Sequence, residues 1–334
     1  MLTFGAIRAH LDNLTKPPGS LGRLEDLAAR LALIQQTLSP VTEPRKLVLF
    51  AADHGVVAEG VTAWPSSVTT MMVANMLAGG AASCVLARQT RTAMSVVDVG
   101  TAGEPQSPRE EYVVAKVGRG TRNMYREAAM SVAEFEQAVA VGRTQVAGDF
   151  PVVAAGEMGI GNTTAAACLT ALLTGVDSAD CVGRGAGADD AILERKRHVV
   201  RVATEGARGV FAASPVAGIA EVCGFEIAAM AGFYLQAAED GRTIVLDGSI
   251  AGAAALIAQH LRPGTVNAMI AAHRSTEPGH TVALDALGLT PFLDGWGMRL
   301  GEGTGALLVM PLLDAAAAIL TQMATFQSAG IGGP

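Results

Sequence analysis

Short, continuously apolar runs recur along the chain between longer stretches that are rich in Ala and Leu. The runs have the length and the β-branched content of strands, and the stretches between them are long enough for crossover helices. Six strands are predicted, over residues 46–51, 93–99, 112–117, 151–155, 243–246 and 267–271. Most of their apolar residues are consecutive, which indicates that helices cover both faces of the sheet. The pattern predicts an α/β fold with a doubly wound, mostly parallel six-stranded sheet.

The two ends of the chain predict helices. Residues 21–38 place Leu24, Leu27, Leu31 and Ile34 at helical spacing, and residues 305–326 form another apolar helical stretch. No Pro- or Ser-rich linker separates these ends from the sheet region, so we expect them to pack against it. The predicted organisation is a small helical subdomain of residues 1–40 and 300–334 and a large α/β domain of residues 41–299.

Composition limits the classes of function. Half of the 334 residues are hydrophobic and 16% are charged, a balance typical of a folded globule. The formal net charge is -7, and no basic run is long enough to bind a nucleic-acid backbone. The most apolar segment, residues 306–320, is interrupted by Pro311 and Asp314 and is shorter than the roughly 18 apolar residues of a membrane span. Because the N-terminus also lacks an apolar signal core, we expect a soluble, cytoplasmic protein that binds neither nucleic acid nor membrane.

Metal and disulfide sites are not expected. Cys84, Cys168, Cys181 and Cys223 are widely spaced and form no CxxC pair, so we interpret them as buried, reduced thiols. The histidines form no HExxH motif and no Cys/His cluster. We therefore predict neither a structural nor a catalytic metal, and no cofactor.

Polar residues follow all six predicted strands. Ligands of open parallel sheets bind beyond the carboxyl ends of the strands, whereas Gly and Asp are also common in turns that bind nothing. One such exit would carry little weight, but six together favour a binding site. The exits are Asp53-His54-Gly55, Asp98-Val99-Gly100, Gly118-Arg119-Gly120, Gly156-Glu157-Met158-Gly159, Asp247-Gly248-Ser249 and His273-Arg274-Ser275.

The fourth exit continues into a glycine-rich helix start. Its backbone N–H groups and two hydroxyls are suited to hold a phosphate without a cation. The segment has no Gly-Lys-Ser/Thr ending and no GxGxxG pattern, so it is neither a Walker loop nor a dinucleotide fingerprint; a plain helix cap is the alternative. The candidate phosphate ligands here are Gly159, Gly161, Asn162, Thr163 and Thr164.

A second glycine-rich loop, residues 183–190, leads into a predicted helix that carries Lys196. An ammonium group there could complete the charge balance of a phosphate, although a Lys beside Arg195 and Arg197 is equally compatible with a solvated helix face. We interpret Asp189-Asp190 as acids at the start of the helix and not as a metal site.

Glu302 is the candidate general base. It lies between Gly301 and Gly303, close in sequence to the apolar residues Leu300 and Trp296. Such a carboxylate is partly desolvated and can approach a ligand closely. The alternative is an acidic residue that merely stabilises the start of the last helix.

Taken together, five segments resemble the nicotinate-nucleotide:dimethylbenzimidazole phosphoribosyltransferase family, which synthesises the lower-ligand nucleotide of cobalamin. They are LTKPPGSLGRLE at 14–25, AADHGV at 51–56, GEMGIGNTT at 156–164, AAHRSTEPGH at 271–280 and RLGEGTGA at 299–306. The resemblance covers nearly the whole chain. It implies a Rossmann-like sheet domain, a smaller domain built from both chain ends, and a homodimer with active sites near the interface.

The resemblance also implies a reaction. Phosphoribose moves from nicotinate mononucleotide to 5,6-dimethylbenzimidazole or a related base, with inversion, giving α-ribazole 5′-phosphate and nicotinate. Glu302 is implied as the general base and Glu157 as the second catalytic carboxylate, near the ribose. Because the leaving group is already a pyridinium, no diphosphate needs a metal to neutralise it.

Binding residues follow from the same resemblance. The phosphate contacts map to residues 159–164, Lys196 and Ser275, with Gly183 and Gly185 lining the nucleotide pocket. The acceptor base is expected against Leu300, residues 59–65 (including Trp64 and Pro65) and residues 68–72 (including Met71 and Met72). Many relatives carry a small or phenolic residue in place of Trp64 and a Gln in place of the methionines. The identity of the base therefore stays open, and the methionines are alternatively core residues.

Two other functions are compatible with a nucleotide-binding sheet. A nicotinamide-dependent oxidoreductase would need GxGxxG after the first strand, where this chain has Asp53-His54-Gly55. A non-catalytic nucleotide-binding module would retain the phosphate loops but leave Glu302 without a task.

Overall fold

The computed structural model describes residues 1–332 and contains one six-stranded sheet. The strands run in the order β3-β2-β1-β4-β5-β6, and every neighbouring pair is parallel. The direction of strand addition reverses between β1 and β4, which is the switch point where doubly wound sheets bind ligands. The predicted fold class is confirmed. The strands are β1 (Arg45–Ala52), β2 (Ala93–Gly100), β3 (Tyr112–Val114), β4 (Val152–Met158), β5 (Thr243–Leu246) and β6 (Met269–Ala271).

Twelve α-helices are found within residues 1–332. They are α1 (Phe4–Asp12), α2 (Arg23–Gln35), α3 (Ser67–Leu77), α4 (Ala82–Gln89), α5 (Val132–Thr144), α6 (Asn162–Thr174), α7 (Asp190–Ala213), α8 (Pro215–Val222), α9 (Phe225–Glu239), α10 (Ser249–Leu261), α11 (Pro278–Leu287) and α12 (Thr304–Gln322).

The strands are apolar throughout because both faces of the sheet are buried. Val48 and Phe50 of β1 belong to the core on the face covered by α5, α6, α9 and α10. Leu47 of the same strand belongs to a second core cluster on the opposite face, shared with α1, α2 and α12. Alternation along a strand places successive side chains on opposite faces, so each residue of this run has a core to enter.

The helices at the chain ends cover one face of the sheet. Leu31 of α2 and Leu307 of α12 are fully buried in the same cluster as Val245 of β5. Whether these ends also form a separate subdomain stays a prediction, and its last two residues, 333 and 334, lie outside the described part of the chain.

Two helical stretches, Ser67–Gln89 and Thr304–Gln322, are long and apolar enough to span a membrane. The first is divided by a turn between α3 and α4. The second is α12, in which Leu307, Met310 and Leu313 are fully buried against the sheet. Its apolar character is accounted for by core packing, as predicted for this segment.

Candidate active site

A cavity of about 410 Å³ opens at the carboxyl ends of β4, β5 and β6. Its lining contains predicted residues from every candidate segment, although these are far apart in sequence. Those residues are Trp64, Met72, Glu157, Gly159, Asn162, Thr163, Gly185, Ser275, Leu300 and Glu302. The parallel sheet brings them together because all its strands end at one edge.

Glu302 is held in an unusual backbone conformation. Its φ is +58°, and the flanking Gly301 and Gly303 have φ of +83° and +77°. A non-glycine residue in the left-handed region costs roughly 1–3 kcal/mol, so the surrounding contacts have to maintain it. One contact comes from β4, where a Cβ on Gly156 would lie 2.6 Å from the carbonyl carbon of Glu302. Glycine at 156 therefore allows the Glu302 loop to rest directly on the strand.

The carboxylate of Glu302 is buried and oriented by one neighbour. Only 5% of the residue is exposed, and Ser83 of α4 donates its hydroxyl to Oε2 at 3.0 Å. Burial raises the pKa of Glu302, and the hydrogen bonds from Ser83 oppose that rise. A buried, hydrogen-bonded carboxylate with a raised pKa is a better proton acceptor than a solvent-exposed one.

Glu157 lies near the end of β4, next to the glycine-rich helix start. Asn162 donates its side-chain amide to Oε2 of Glu157. Burial raises the pKa of Glu157 to about 8, and the negative charges of Glu226, Asp247 and Glu302 contribute to the rise. The free protein therefore holds this carboxyl mostly protonated at neutral pH.

The glycine-rich helix start folds against the end of β1. A Cβ on Gly159 would lie 2.6 Å from the carbonyl oxygen of Ala52, and Gly161 precedes α6 with a φ of +97°. The predicted cradle is thus built in part from positions that only glycine fills easily. Gly159, Asn162 and Thr163 line the cavity. Gly161 is not among its lining residues, and the side chain of Thr164 is buried on α6 away from the cavity.

Lys196 lies behind the same wall of the cavity. Its Nζ donates to Oγ1 of Thr163 and to the carbonyl oxygen of Gly183, both at 2.9 Å. Only 1% of Lys196 is exposed, so the solvated alternative is wrong for this residue. Burial lowers its pKa, and the negative charge of Glu277 opposes this effect. Neither Lys196 nor Gly183 lines the cavity, and Lys196 reaches it through the hydroxyl of Thr163.

Asp189 is the N-cap of α7. Its side chain accepts a hydrogen bond from the backbone N–H of Ile192 at 2.8 Å. This is the helix-start role predicted for the Asp189-Asp190 pair.

Ser275 and Glu277 also line the cavity, and Glu277 lies next to the second glycine-rich loop. The backbone N–H of Ser275 donates to Nδ1 of His280 at 2.9 Å. Burial lowers the pKa of His280 to about 3, which keeps this nitrogen available as an acceptor. Oε1 of Glu277 accepts a hydrogen bond from the backbone N–H of Gly185 at 2.8 Å. Glu277 therefore fixes the second glycine-rich loop.

The proposed base-binding wall is only partly as predicted. Val68 and Met72 lie four residues apart on α3 and both line the cavity, as the helical repeat requires. Met71 is turned about 100° from Met72 around the helix and is 65% exposed; Pro65 lies exposed before the helix. The structure does not bring Met71 and Pro65 to the cavity. Trp64 lines it and donates its indole N–H to the carbonyl oxygen of Ala186 at 3.2 Å.

Sequence reasoning assigned no role to several residues at this site. Asp247 was visible as a polar strand exit, and its carboxylate contacts the Glu302 loop. Ser83 and Glu226 carry no local signal, because helices distant in sequence bring them to Glu302 and Glu157.

Within residues 1–332, no three His, Cys, Asp or Glu side chains come close enough together to hold a metal ion. The four cysteines are buried free thiols.

Comparisons with known proteins identify the family and support the fold. The phosphoribosyltransferase family model DBI_PRT matches residues 3–331. Nicotinate-nucleotide–dimethylbenzimidazole phosphoribosyltransferase of Ralstonia nicotianae is 48% identical over 330 residues, covering 97% of this chain and 92% of the relative. The enzyme of that name from Thermus thermophilus is 47% identical over 333 residues, covering 98% of each. The crystal structure of CobT from Thermus thermophilus superposes with a TM-score of 0.95 at 46% identity and covers 99% of both chains.

Proposed function

The chain belongs to the phosphoribosyltransferase family whose sequence model matches residues 3–331, and we propose that it transfers phosphoribose from nicotinate mononucleotide to 5,6-dimethylbenzimidazole or a related base. The products are α-ribazole 5′-phosphate and nicotinate, which places the enzyme in cobalamin biosynthesis. The observation that carries the proposal is the buried, hydrogen-bonded carboxylate of Glu302, in the same cavity as a glycine-rich helix start suited to phosphate.

The chemistry is a substitution at the anomeric carbon with inversion. One ring nitrogen of the base attacks C1′ while the bond from C1′ to the pyridinium nitrogen breaks, and the bonding electrons return to the nicotinate ring. Glu302 takes the proton from the other ring nitrogen of the benzimidazole. A positioned general base contributes about 10²- to 10⁴-fold, so orientation of the two substrates accounts for the rest.

Glu157 is assigned to stabilise the positive charge that develops on the sugar in the transition state. Its carboxyl is mostly neutral in the free protein because its pKa is raised to about 8. The cationic pyridinium of the substrate and the oxocarbenium-like sugar both favour the ionised form. Substrate binding therefore lowers the pKa of this carboxyl, which releases its proton to solvent before the reaction, and the resulting carboxylate stabilises the transition state.

The phosphate end of the nucleotide is assigned to the glycine-rich helix start. Asn162, Thr163 and Gly185 face the cavity there. Lys196 adds a positive charge directly behind Thr163, and Ser275 also lines the cavity. Because the site already holds a buried ammonium group, no metal is required to bind a monophosphate.

We further propose that the protein is a cytoplasmic homodimer. Two large apolar side chains that line the cavity, Trp64 and Leu300, are more than half exposed. Apolar residues clustered around a site are typical of an interface, and a second subunit would cover this rim and close the cavity. Sedimentation equilibrium of the purified protein tests this, since a monomer at micromolar concentration would contradict it.

The reaction itself is tested by incubating the purified protein with nicotinate mononucleotide and 5,6-dimethylbenzimidazole and separating the products by chromatography. We expect equal amounts of nicotinate and α-ribazole 5′-phosphate. Release of nicotinate that does not depend on the base would indicate a hydrolase instead. No turnover together with intact nucleotide binding would favour the non-catalytic module.

A further inference from the structure

Asp247 immediately follows β5 and is almost fully buried, but the reaction as described gives it no task. Its carboxylate points at the start of α12. Oδ2 accepts a hydrogen bond from the backbone N–H of Gly303 at 3.1 Å, and Oδ1 accepts one from Gly305 at 2.7 Å and another from Ala306 at 3.4 Å. One carboxylate therefore binds three backbone N–H groups directly after Glu302.

These contacts add to the support that the segment receives from β4 and from the hydrogen bond between the Thr304 hydroxyl and the carbonyl oxygen of Gly301. Gly301, Glu302 and Gly303 are three consecutive residues with positive φ, and only glycine adopts such angles at low cost. The N-cap position of α12 is Gly303, which has no side chain to cap the helix. Asp247 supplies the missing cap from another element of the fold, and this fixes where the chain passes through Glu302.

The side chain of Glu302 is oriented by a different residue. Ser83 of α4 holds Oε2, whereas the hydrogen bonds of Asp247 go to the backbone beyond Glu302. The carboxylate and the main chain of the proposed base are thus held by residues from different elements of the fold.

We propose that Asp247 is a positioning residue for the general base: by binding the backbone N–H groups after Glu302, it fixes the left-handed turn from which that carboxylate reaches the acceptor. This inference rests on the proposed function of Glu302. The competing role is direct contact with the substrate, since Asp247 also lines the cavity.

A double-mutant cycle separates the two roles. The variants are Asp247→Asn, Glu302→Gln and the double substitution, and kcat and KM are measured for both substrates. If Asp247 acts through Glu302, Asp247→Asn lowers kcat by about 10-fold or more with little change in the KM for nicotinate mononucleotide. The double variant is then no slower than Glu302→Gln alone, within about 2-fold. If the kcat losses of the two single variants multiply in the double variant, the proposal is wrong. A rise confined to the KM for the nucleotide would also overturn it.

Asp98 offers a matched control. It also lies at the end of a strand, is equally buried, and accepts a hydrogen bond from a backbone N–H of its own loop, that of Thr101 at 2.8 Å. It does not line the cavity. We expect Asp98→Asn to lower the melting temperature without the selective loss of kcat; an equal loss of kcat would assign the effect of Asp247→Asn to general destabilisation.

Hydrogen exchange gives a readout that does not depend on turnover. The amides of Gly303, Gly305 and Ala306 should exchange faster in Asp247→Asn than in the wild type, and unchanged exchange would contradict the proposal. If the wild type does not turn over, or if Glu302→Gln remains fully active, the assigned function fails whatever this exchange shows. If Asp247→Asn does not fold, Asp247→Ser, which keeps one oxygen acceptor, replaces it in the cycle.

Discussion

The hydroxyl oxygen of Ser83 lies 3.0 Å from Oε2 of Glu302, so a residue of α4 influences the ionisation of a carboxylate near the other end of the chain. A hydrogen bond to an ionised carboxylate favours the ionised form. In this protein the hydrogen bonds from Ser83 lower the pKa of Glu302 against the effect of burial.

Replacing Ser83 by Ala should therefore raise the pKa of Glu302. Because the base acts in its ionised form, the acid limb of the kcat–pH profile should move to higher pH, while the alkaline plateau is largely retained. The measurement is kcat against pH at saturating substrates. Ser95→Ala is the matched control, since the buried hydroxyl of Ser95 has no hydrogen-bond partner in the described structure. An unmoved acid limb in Ser83→Ala would show that Glu302 does not set it.

Glu302→Gln should abolish proton abstraction while keeping the size and polarity of the side chain. We expect kcat to fall by at least about 10²-fold, because a positioned base contributes about that much. The dissociation constant of nicotinate mononucleotide, measured by calorimetry, should change little. An unchanged kcat would refute the assignment of Glu302 as base.

The strands were predictable because burial on both faces leaves a strong local signal. Val48 and Leu47 are adjacent and both apolar, and each has a separate core to enter. Glu157, Glu302 and the glycine-rich helix start were visible for a similar reason, since glycine beside a carboxylate is a local feature of sequence.

Contacts between distant elements could not be predicted in the same way. Nothing near Ser83 indicates that it binds Glu302, because that contact depends on how α4 packs beside the last loop. Met71 and Met72 are equally apolar, and only the rotation of α3 decides that Met72 faces the cavity and Met71 the solvent. The burial of Lys196 could not be predicted for the same reason. Arg195 and Arg197 are also basic, but they are exposed on α7, whereas Lys196 is buried.

Lys196→Ala should chiefly weaken nucleotide binding. The ammonium group is buried and donates hydrogen bonds to Thr163 and Gly183, both of which are uncharged. A bound phosphate would therefore supply a negative charge close to this ammonium group. Loss of a charged hydrogen bond of roughly 1.5–3 kcal/mol corresponds to a rise of about 10- to 100-fold in the dissociation constant. Arg197→Ala, on the exposed side of the same helix, should have little effect. A change confined to the KM for the base would contradict the phosphate role.

Glu157 should make the protein less stable as the pH rises. Its pKa is raised from 4.5 to about 8 in the folded state, so between these values the folded protein keeps a proton that the unfolded chain has lost. The free energy of unfolding therefore decreases with rising pH in this window, by up to about 1.4 kcal/mol per pH unit.

Urea denaturation of the wild type and of Glu157→Gln at several pH values between about 5 and 8 measures this effect. The contribution is complete below the unfolded pKa and is lost as the pH approaches the folded value of about 8, so the difference between the two proteins should change across the window. Glu59→Gln serves as a control, because hydrogen bonds from Arg126 and Asn123 lower the pKa of Glu59 and place its titration below the window. A constant difference between wild type and Glu157→Gln would show that the pKa of Glu157 is not raised.

Met72 should influence which base is accepted. The wall formed by Trp64, Val68 and Met72 presents an apolar surface to the cavity, which suits the methyl groups of 5,6-dimethylbenzimidazole but leaves the amino group of adenine without a partner. A polar group desolvated without a hydrogen bond costs about 1–3 kcal/mol, so the wild type should prefer the benzimidazole by about 5-fold or more in kcat/KM. Met72→Gln supplies an amide at this wall and should reduce that preference.

Met71→Gln makes the same change one position along α3, on the exposed side, and should leave the preference as in the wild type. Equal effects of the two substitutions would mean that the base does not bind against this wall.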